Sequence, residues 1–107
     1  MHTIRIPNSI RIGNRCYTIS LKDSLIADHN HFGIVNHATK HILIDSSLPN
    51  SEMTETFIHE VVHIILNMYS LDIEGVGNVE FLCNSMGIML TQLLDYLGVS
   101  LEFTGER

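Results

Sequence analysis

The sequence predicts a small α+β domain in which short strands come first and two helices follow. Polar and apolar residues alternate along residues 15–22, which is the period of a half-buried strand. From residue 50 onward, two long and mostly apolar runs with helical spacing are separated by a glycine-containing break. Segregation of strands and helices along a chain is typical of α+β domains. We expect one domain over residues 1–107, with a small, twisted and mostly antiparallel sheet packed on both helices.

The strand half of the chain consists of short β-branched runs between turn residues. In the run 15–21, Tyr17, Ile19 and Leu21 share one face and should lie in the core. Gly13-Asn14, just before this run, is typical of a tight hairpin turn. The predicted strands cover residues 3–6, 9–12, 15–21, 32–36 ("FGIVN") and 41–45 ("HILID").

The helix half begins with a clear start signal. Pro49 is followed by the cap candidates Asn50 and Ser51 and by early acidic residues, so the first helix should run from there to about Tyr69. A second helix is expected from about Val79 to Leu97, with Gly98 as its C′ residue. Its apolar stripe is interpreted as core, or in part as the contact face of a homodimer, and comprises Leu82, Met86, Met89, Leu90, Leu93, Leu94 and Leu97.

Charge is distributed unevenly, and this disfavours several classes of partner. Residues 1–40 carry five Lys or Arg and two Asp (+3), whereas residues 41–107 carry one Arg and ten acidic residues (−9). Phosphate backbones require basic side chains, so we expect no nucleic-acid partner. No long apolar segment suggests a membrane span or signal peptide, and Cys16 and Cys83 are interpreted as free thiols. These features favour a cytoplasmic protein.

The run "FIHEVVHIILN", residues 57–67, places His59, Glu60 and His63 in an H-E-x-x-H pattern. His59 and His63 are four residues apart and therefore leave the same face of a helix. The surrounding residues are apolar, which predicts a buried helix, and burying these three polar groups without partners would cost several kcal/mol. A Zn²⁺ ion held by the histidines would compensate for this cost, and the glutamate would act as a base toward water.

A third protein ligand is needed for a catalytic zinc site, and Glu80 is the preferred candidate. It opens the second helix, and an antiparallel return of that helix would bring its first turn beside His59 and His63. Asn84, one turn later, would share its face and could orient the carboxylate. Asp72 and Glu74 are alternatives in the connection between the helices, whereas Cys83 is interpreted as a core residue. Gly87, in mid-helix, suggests close approach to another backbone.

The combination of "HEVVH" with the downstream "EFLCNSMGIML" resembles the ImmA/IrrE-type metallopeptidases, which are gluzincins of bacteria, phages and mobile elements. Their signature is H-E-x-x-H followed by E-x-x-A-N on the next helix. The similarity covers roughly residues 33–95 and implies a minimal zincin-like domain of phage or prophage type. This chain departs from the pattern at Cys83, where the family usually has Ala, and shows no helix-turn-helix for DNA binding.

The resemblance implies that His59, His63 and Glu80 bind zinc and that Glu60 is the catalytic base. The implied activity is hydrolysis of a peptide bond by a metal-activated water, with a protein or peptide as substrate. The alternative is a non-catalytic zinc-containing protein of phage or prophage type that sequesters a host or phage protein.

Two further features of a peptidase site are expected from the residues. A donor to the developing oxyanion is needed, and the candidates are Tyr69, Tyr96, His37 and His41. The "HILID" strand is a hypothetical edge strand that would pair with an extended substrate. His2, His29 and His31 are interpreted as solvated loop or terminal residues.

Overall fold

The computed structural model of the chain describes residues 2–29, 31–68 and 79–103, and over these residues the fold is α+β as predicted. Strands and one short helix precede two long helices, and a last strand follows them. The elements are β1 (His2–Ile6), β2 (Ser9–Ile12), β3 (Arg15–Lys22), α1 (Leu25–His29), β4 (Gly33–Asn36), β5 (His41–Asp45), α2 (Asn50–Met68), α3 (Val79–Tyr96) and β6 (Val99–Phe103).

Strand pairing is mixed rather than mostly antiparallel. In the four-stranded sheet, with order β2-β3-β5-β4, β3 and β5 are parallel while the two outer pairings are antiparallel. The β2–β3 hairpin turns at Gly13, whose φ of 63° suits glycine, as the sequence predicts. β1 lies apart from this sheet and pairs in parallel with β6. The expected single sheet is therefore two sheets.

The hydrophobic core lies between the four-stranded sheet and α2. Tyr17 and Ile19 of β3, together with Ile42 and Ile44 of β5, point toward Ile64 of α2 and are almost fully buried. Alternation along both strands selects these residues because successive side chains point to opposite faces. Each such side chain contributes about 1.5–3 kcal/mol on burial, so this cluster fixes α2, and its motif, against the sheet.

The second long helix packs on α2 through its smallest residues. A Cβ added at Gly87 would lie 2.7 Å from the backbone oxygen of Glu55 and 3.7 Å from the backbone nitrogen of His59. This confirms the close backbone approach that the mid-helix glycine predicts. The buried residues of α3 are Cys83, Gly87 and Thr91, so the interpretation of its Leu and Met stripe as core is wrong for Leu82, Met89, Leu93 and Leu97, which are 40–60% exposed.

The start of α2 is fixed to the last strand, β6, which the sequence interpretation missed. α2 begins at Asn50, and the Pro49 carbonyl accepts the first helical hydrogen bond from the Met53 N–H at 2.9 Å. The Asn50 side chain does not cap its own helix. It donates instead to the Leu101 carbonyl of β6 at 2.7 Å. At the end of α3, Gly98 has a φ of 73° and donates to the Asp95 carbonyl, as expected for a C′ glycine.

Within the described ranges, none of the helices combines the length and apolar character that crossing a membrane requires.

Candidate metal centre

Two imidazoles lie side by side on the cleft-facing side of α2. His59 and His63 are one turn apart, their ring centroids are 4.9 Å from each other, and both side chains are largely buried. The helix holds them in place because its other faces contact the sheet and α3. Their spacing along the helix therefore becomes a fixed spacing between two nitrogen donors.

The carboxylate of Glu80 meets both rings. Its Oε1 atom lies 2.9 Å from Nε2 of His59 and 2.8 Å from Nε2 of His63. Since Gly87 lies against Glu55 and His59 while Glu80 lies against His59 and His63, α3 runs antiparallel to α2. This direction brings the first turn of α3 back to the motif. The sequence predicts Glu80 beside the two histidines because of this antiparallel return.

The three side chains form a group that can hold a metal ion. Each offers one ligand atom, and these atoms lie within 4.8 Å of one another. Two imidazole nitrogens and one carboxylate oxygen are a ligand set found in catalytic zinc sites, where they leave a coordination position open. Among the residues that the structure describes, this is the one group of three or more His, Cys, Asp or Glu side chains arranged in this way.

The local charges keep Glu80 ionised, as a metal ligand must be. Partial burial acts to raise the pKa of its carboxyl group. Hydrogen bonds and positive charge from His63 and His59 outweigh that effect, so the pKa lies below its usual range. The site therefore favours a carboxylate at this position before any metal binds.

Glu60 lies beside this group but on the buried side of it. It is 6% exposed, and burial raises the pKa of its carboxyl to about 7, with His63 opposing the rise and Glu80 adding to it. A cation held by the neighbouring ligands would counter this rise, because positive charge favours the carboxylate. Glu60 is not one of the three side chains whose ligand atoms lie together.

Gly33 of β4 makes room for the side chain of Thr56 on α2, and the sequence interpretation did not identify it. A Cβ at this position would lie 2.5 Å from Cγ2 of Thr56, 3.1 Å from the Leu43 carbonyl oxygen and 3.5 Å from Oε2 of Glu60. Any larger residue would therefore press on Thr56 of α2, one turn before Glu60. A glycine at the start of a strand carries no sequence signal for such a role, since glycines are also common in turns.

An open cleft of about 640 Å³ gives access to the metal-binding group. Its volume falls within the range of small-ligand and peptide-side-chain pockets. One wall is β4 with the residues before it, and the other is formed by α2 and the first turns of α3. Among the residues that the structure describes, the lining includes four glutamates but no Lys or Arg. It comprises His31, Phe32, Gly33, Ile34, Val35, His37, Glu52, Glu55, Thr56, His59, Glu60, His63, Glu80, Asn84 and Ile88.

The four candidates for an oxyanion donor are placed very differently. His37 lines the cleft, and its Nδ1 lies 3.4 Å from the Tyr17 hydroxyl. His41 is outside the lining and its Nε2 is 3.0 Å from the Ser20 hydroxyl. Tyr96 is 87% exposed near the end of α3, away from the cleft. Tyr69 lies outside the described residues.

The remaining predicted residues also have clear positions. Asn84 lines the cleft one turn after Glu80, whereas Cys83 is fully buried, as predicted. The alternative ligands Asp72 and Glu74 lie outside the described residues. His31, interpreted from sequence as a solvated loop residue, is exposed but lines the cleft.

The "HILID" strand is not an edge strand. It is β5, which is paired with β3 on one side and with β4 on the other. The strand at this end of the four-stranded sheet is β4, and it borders the cleft. The sequence could not distinguish the two, because both are short apolar strands separated by a polar turn.

Comparison of the chain with protein-family models, with curated proteins and with solved structures finds no match in any of the three.

Proposed function

We propose that this protein is a zinc-dependent metallopeptidase with a minimal zincin-like fold of the ImmA/IrrE type. The proposal rests mainly on one observation: Nε2 of His59 and Nε2 of His63 converge on Oε1 of Glu80, at 2.9 and 2.8 Å, in the wall of an open cleft. His59, His63 and Glu80 would hold the zinc ion. Bound there, zinc would supply a Lewis acid that polarises a carbonyl and lowers the pKa of water.

Residues of the protein would supply proton transfer and stabilisation of the oxyanion. Glu60 is the general base, because its carboxyl group lies beside the ligand group and is shielded from bulk solvent. It takes a proton from the attacking water and passes it to the leaving amine. His37 is the candidate donor to the developing oxyanion, since it lines the same cleft.

An extended peptide is the substrate that we expect for this cleft. β4 ends the four-stranded sheet on this side, and a peptide can add to such a strand through backbone hydrogen bonds while its side chains enter the cleft. Glu52 and Glu55 line the cleft outside the metal-binding group and favour substrates that carry basic side chains. Peptides rich in Lys and Arg are therefore the first substrates to test.

The test combines metal content with hydrolysis. Zinc would be measured by inductively coupled plasma mass spectrometry on tag-free wild type and on the His63→Ala, Glu80→Ala and Glu60→Gln variants, with His41→Ala as a control histidine outside the cleft. We expect about one zinc per chain in wild type, His41→Ala and Glu60→Gln, and loss or weakening in the other two. Hydrolysis of a peptide mixture should fall by about 10²–10⁴-fold in Glu60→Gln.

Each other outcome has a definite meaning. Zinc retained without Glu80 would reject Glu80 as a ligand. If Glu60→Gln keeps both its zinc and its biological effect, the non-catalytic binding protein is favoured. No metal in any sample, even after zinc is added, would reject the metallopeptidase.

A further inference from the structure

Helix α3 contacts the rest of the protein through a narrow stripe. Its buried residues, Cys83, Gly87 and Thr91, are spaced four apart and so form one line along the helix. A helix that is apolar nearly all round is usually buried nearly all round. In α3 the opposite side remains exposed although most of its residues are large and apolar.

The exposed apolar residues of α3 are spaced as in a coiled-coil seam. Leu82, Met86, Met89, Leu93 and Tyr96 follow one another at intervals of four, three, four and three residues, which is the heptad spacing of positions a and d. Met86 is partly buried, and the other four are 40%, 60%, 50% and 87% exposed in chain order. We call these five residues the α3 seam. Its spacing is that of a helix prepared to pack against a second helix.

The area of the seam matches what a dimer interface requires. Leu97 follows Tyr96 directly after α3 and is 59% exposed. Together with it, the four exposed seam residues present roughly 450–600 Å² of side-chain area, taking about 150–200 Å² for each fully exposed large side chain. A standard interface buries about 800 Å² per partner, of which about 60% is apolar. The seam therefore supplies the apolar part of one such interface.

The distribution of charge on α3 favours a second copy of the chain as the occupant. The helix has two charged residues, and both lie away from the seam. Glu80 lies about 160° round the helix from Leu82, and Asp95 lies about 160° from Leu93. The flanking g positions of the heptad hold Ser85 and Gln92, which are uncharged. Charges at flanking positions set the choice of partner, and like charges there would repel a second copy. Their absence lets two copies meet without repulsion, although each chain carries a net charge of −6.

We propose that the α3 seam docks on the α3 seam of a second copy of this chain. The two α2/α3 pairs would then form one four-helix layer about a two-fold axis. Glu80, Asn84 and Ile88 face the cleft from another side of α3, so both clefts would stay open to substrate. Dimer formation is thus independent of zinc binding and of peptide hydrolysis.

The test measures molar mass over a wide range of protein concentration, by light scattering after size exclusion and by sedimentation velocity. Wild type should approach twice the 12.1 kDa mass of one chain. Met89→Lys and Leu93→Lys should each raise the dimer dissociation constant by about tenfold or more, because they place a charge in the apolar centre of the interface. Asn67→Lys adds the same charge at an exposed position of α2 and should leave the dimer unchanged.

Circular dichroism and zinc content distinguish loss of the dimer from loss of the fold. If a lysine variant unfolds, the neutral variants Met89→Gln and Leu93→Gln replace it, and the same weakening is expected. A wild type that stays monomeric at every concentration would overturn the proposal. A dimer that survives folded seam variants unchanged would also overturn it, since contact would then lie elsewhere.

Discussion

Gly87 sets the distance between α2 and α3, and the candidate metal site depends on that distance. We predict that Gly87→Ala lowers the free energy of unfolding by about 1–3 kcal/mol, because the new Cβ would lie 2.7 Å from the Glu55 backbone oxygen. This loss exceeds the gain of about 1 kcal/mol that alanine brings to a helix interior. Displacement of α3 should also move Glu80 away from His63 and weaken zinc binding.

Urea denaturation and zinc titration check this prediction. Gln92→Ala is the matched control, because it is an alanine substitution at an exposed position of the same helix. A Gly87→Ala protein that is as stable as wild type and binds zinc equally well would show that the contact between the helices tolerates a methyl group.

The residues at the candidate site differ in how far the sequence reveals them. His59 and His63 follow from spacing alone, and Glu80 follows once α3 is expected to return antiparallel to α2. Gly33 and His31 could not be foreseen, because their positions depend on how β4 and the residues before it pack against α2. Local sequence carries helical spacing well but says little about which loop meets which helix.

At the scale of elements, Asp45 joins the end of β5 to the short helix α1. Its carboxylate accepts hydrogen bonds from the Ser47 hydroxyl at 2.6 Å, the Ser47 N–H at 2.8 Å and the Ile26 N–H at 2.8 Å. The bond from the Ser47 side chain, together with those from backbone N–H groups, outweighs the opposite effect of burial and holds the pKa of Asp45 below its usual range.

We therefore predict an acid-sensitive contribution to stability from Asp45. Because its pKa is lower in the folded protein, the stabilisation is complete above the unfolded value of about 3.9 and is lost as pH falls through the folded value. Asp45→Asn should cost about 1.5–3 kcal/mol at neutral pH, and its difference from wild type should shrink as the pH falls below the unfolded value. Urea unfolding at several pH values measures this.

Asp95→Asn, at an exposed position of α3, serves as the control and should differ little from wild type at any pH. A difference between Asp45→Asn and wild type that stays constant down to low pH would contradict the prediction.

Most elements of the fold can be read from the sequence, and the exceptions have physical causes. Alternation and cap signals predict β2, β5, α2 and α3 to within a residue or two. "VSLEF" of β6 alternates in the same way, but its partner is β1, about a hundred residues away, and local pattern does not reveal such a pairing. The sequence also does not reveal which side of α3 packs against α2. Both sides are apolar, and the small residues Cys83, Gly87 and Thr91 form the side that is buried.

At the scale of the whole molecule, the candidate ligands connect two helices that are separated in sequence. His59 and His63 belong to α2 and Glu80 to α3, so a bound ion would bind the folded chain much more tightly than the unfolded one. A ligand of the native state stabilises it by about 2.7 kcal/mol at a hundred times its dissociation constant. We therefore predict that zinc raises the Tm by about 10 °C or more and that a chelator reverses the effect.

Differential scanning calorimetry with and without zinc measures this shift, and two variants determine its origin. His63→Ala should abolish most of the shift because it removes one ligand. His2→Ala removes an exposed histidine of β1, outside the cleft lining, and should keep the full shift. An equal zinc effect in His63→Ala and wild type would place the ion elsewhere on the molecule. No shift in wild type would mean that packing and the contacts of Glu80 with both imidazoles hold the two helices together without an ion.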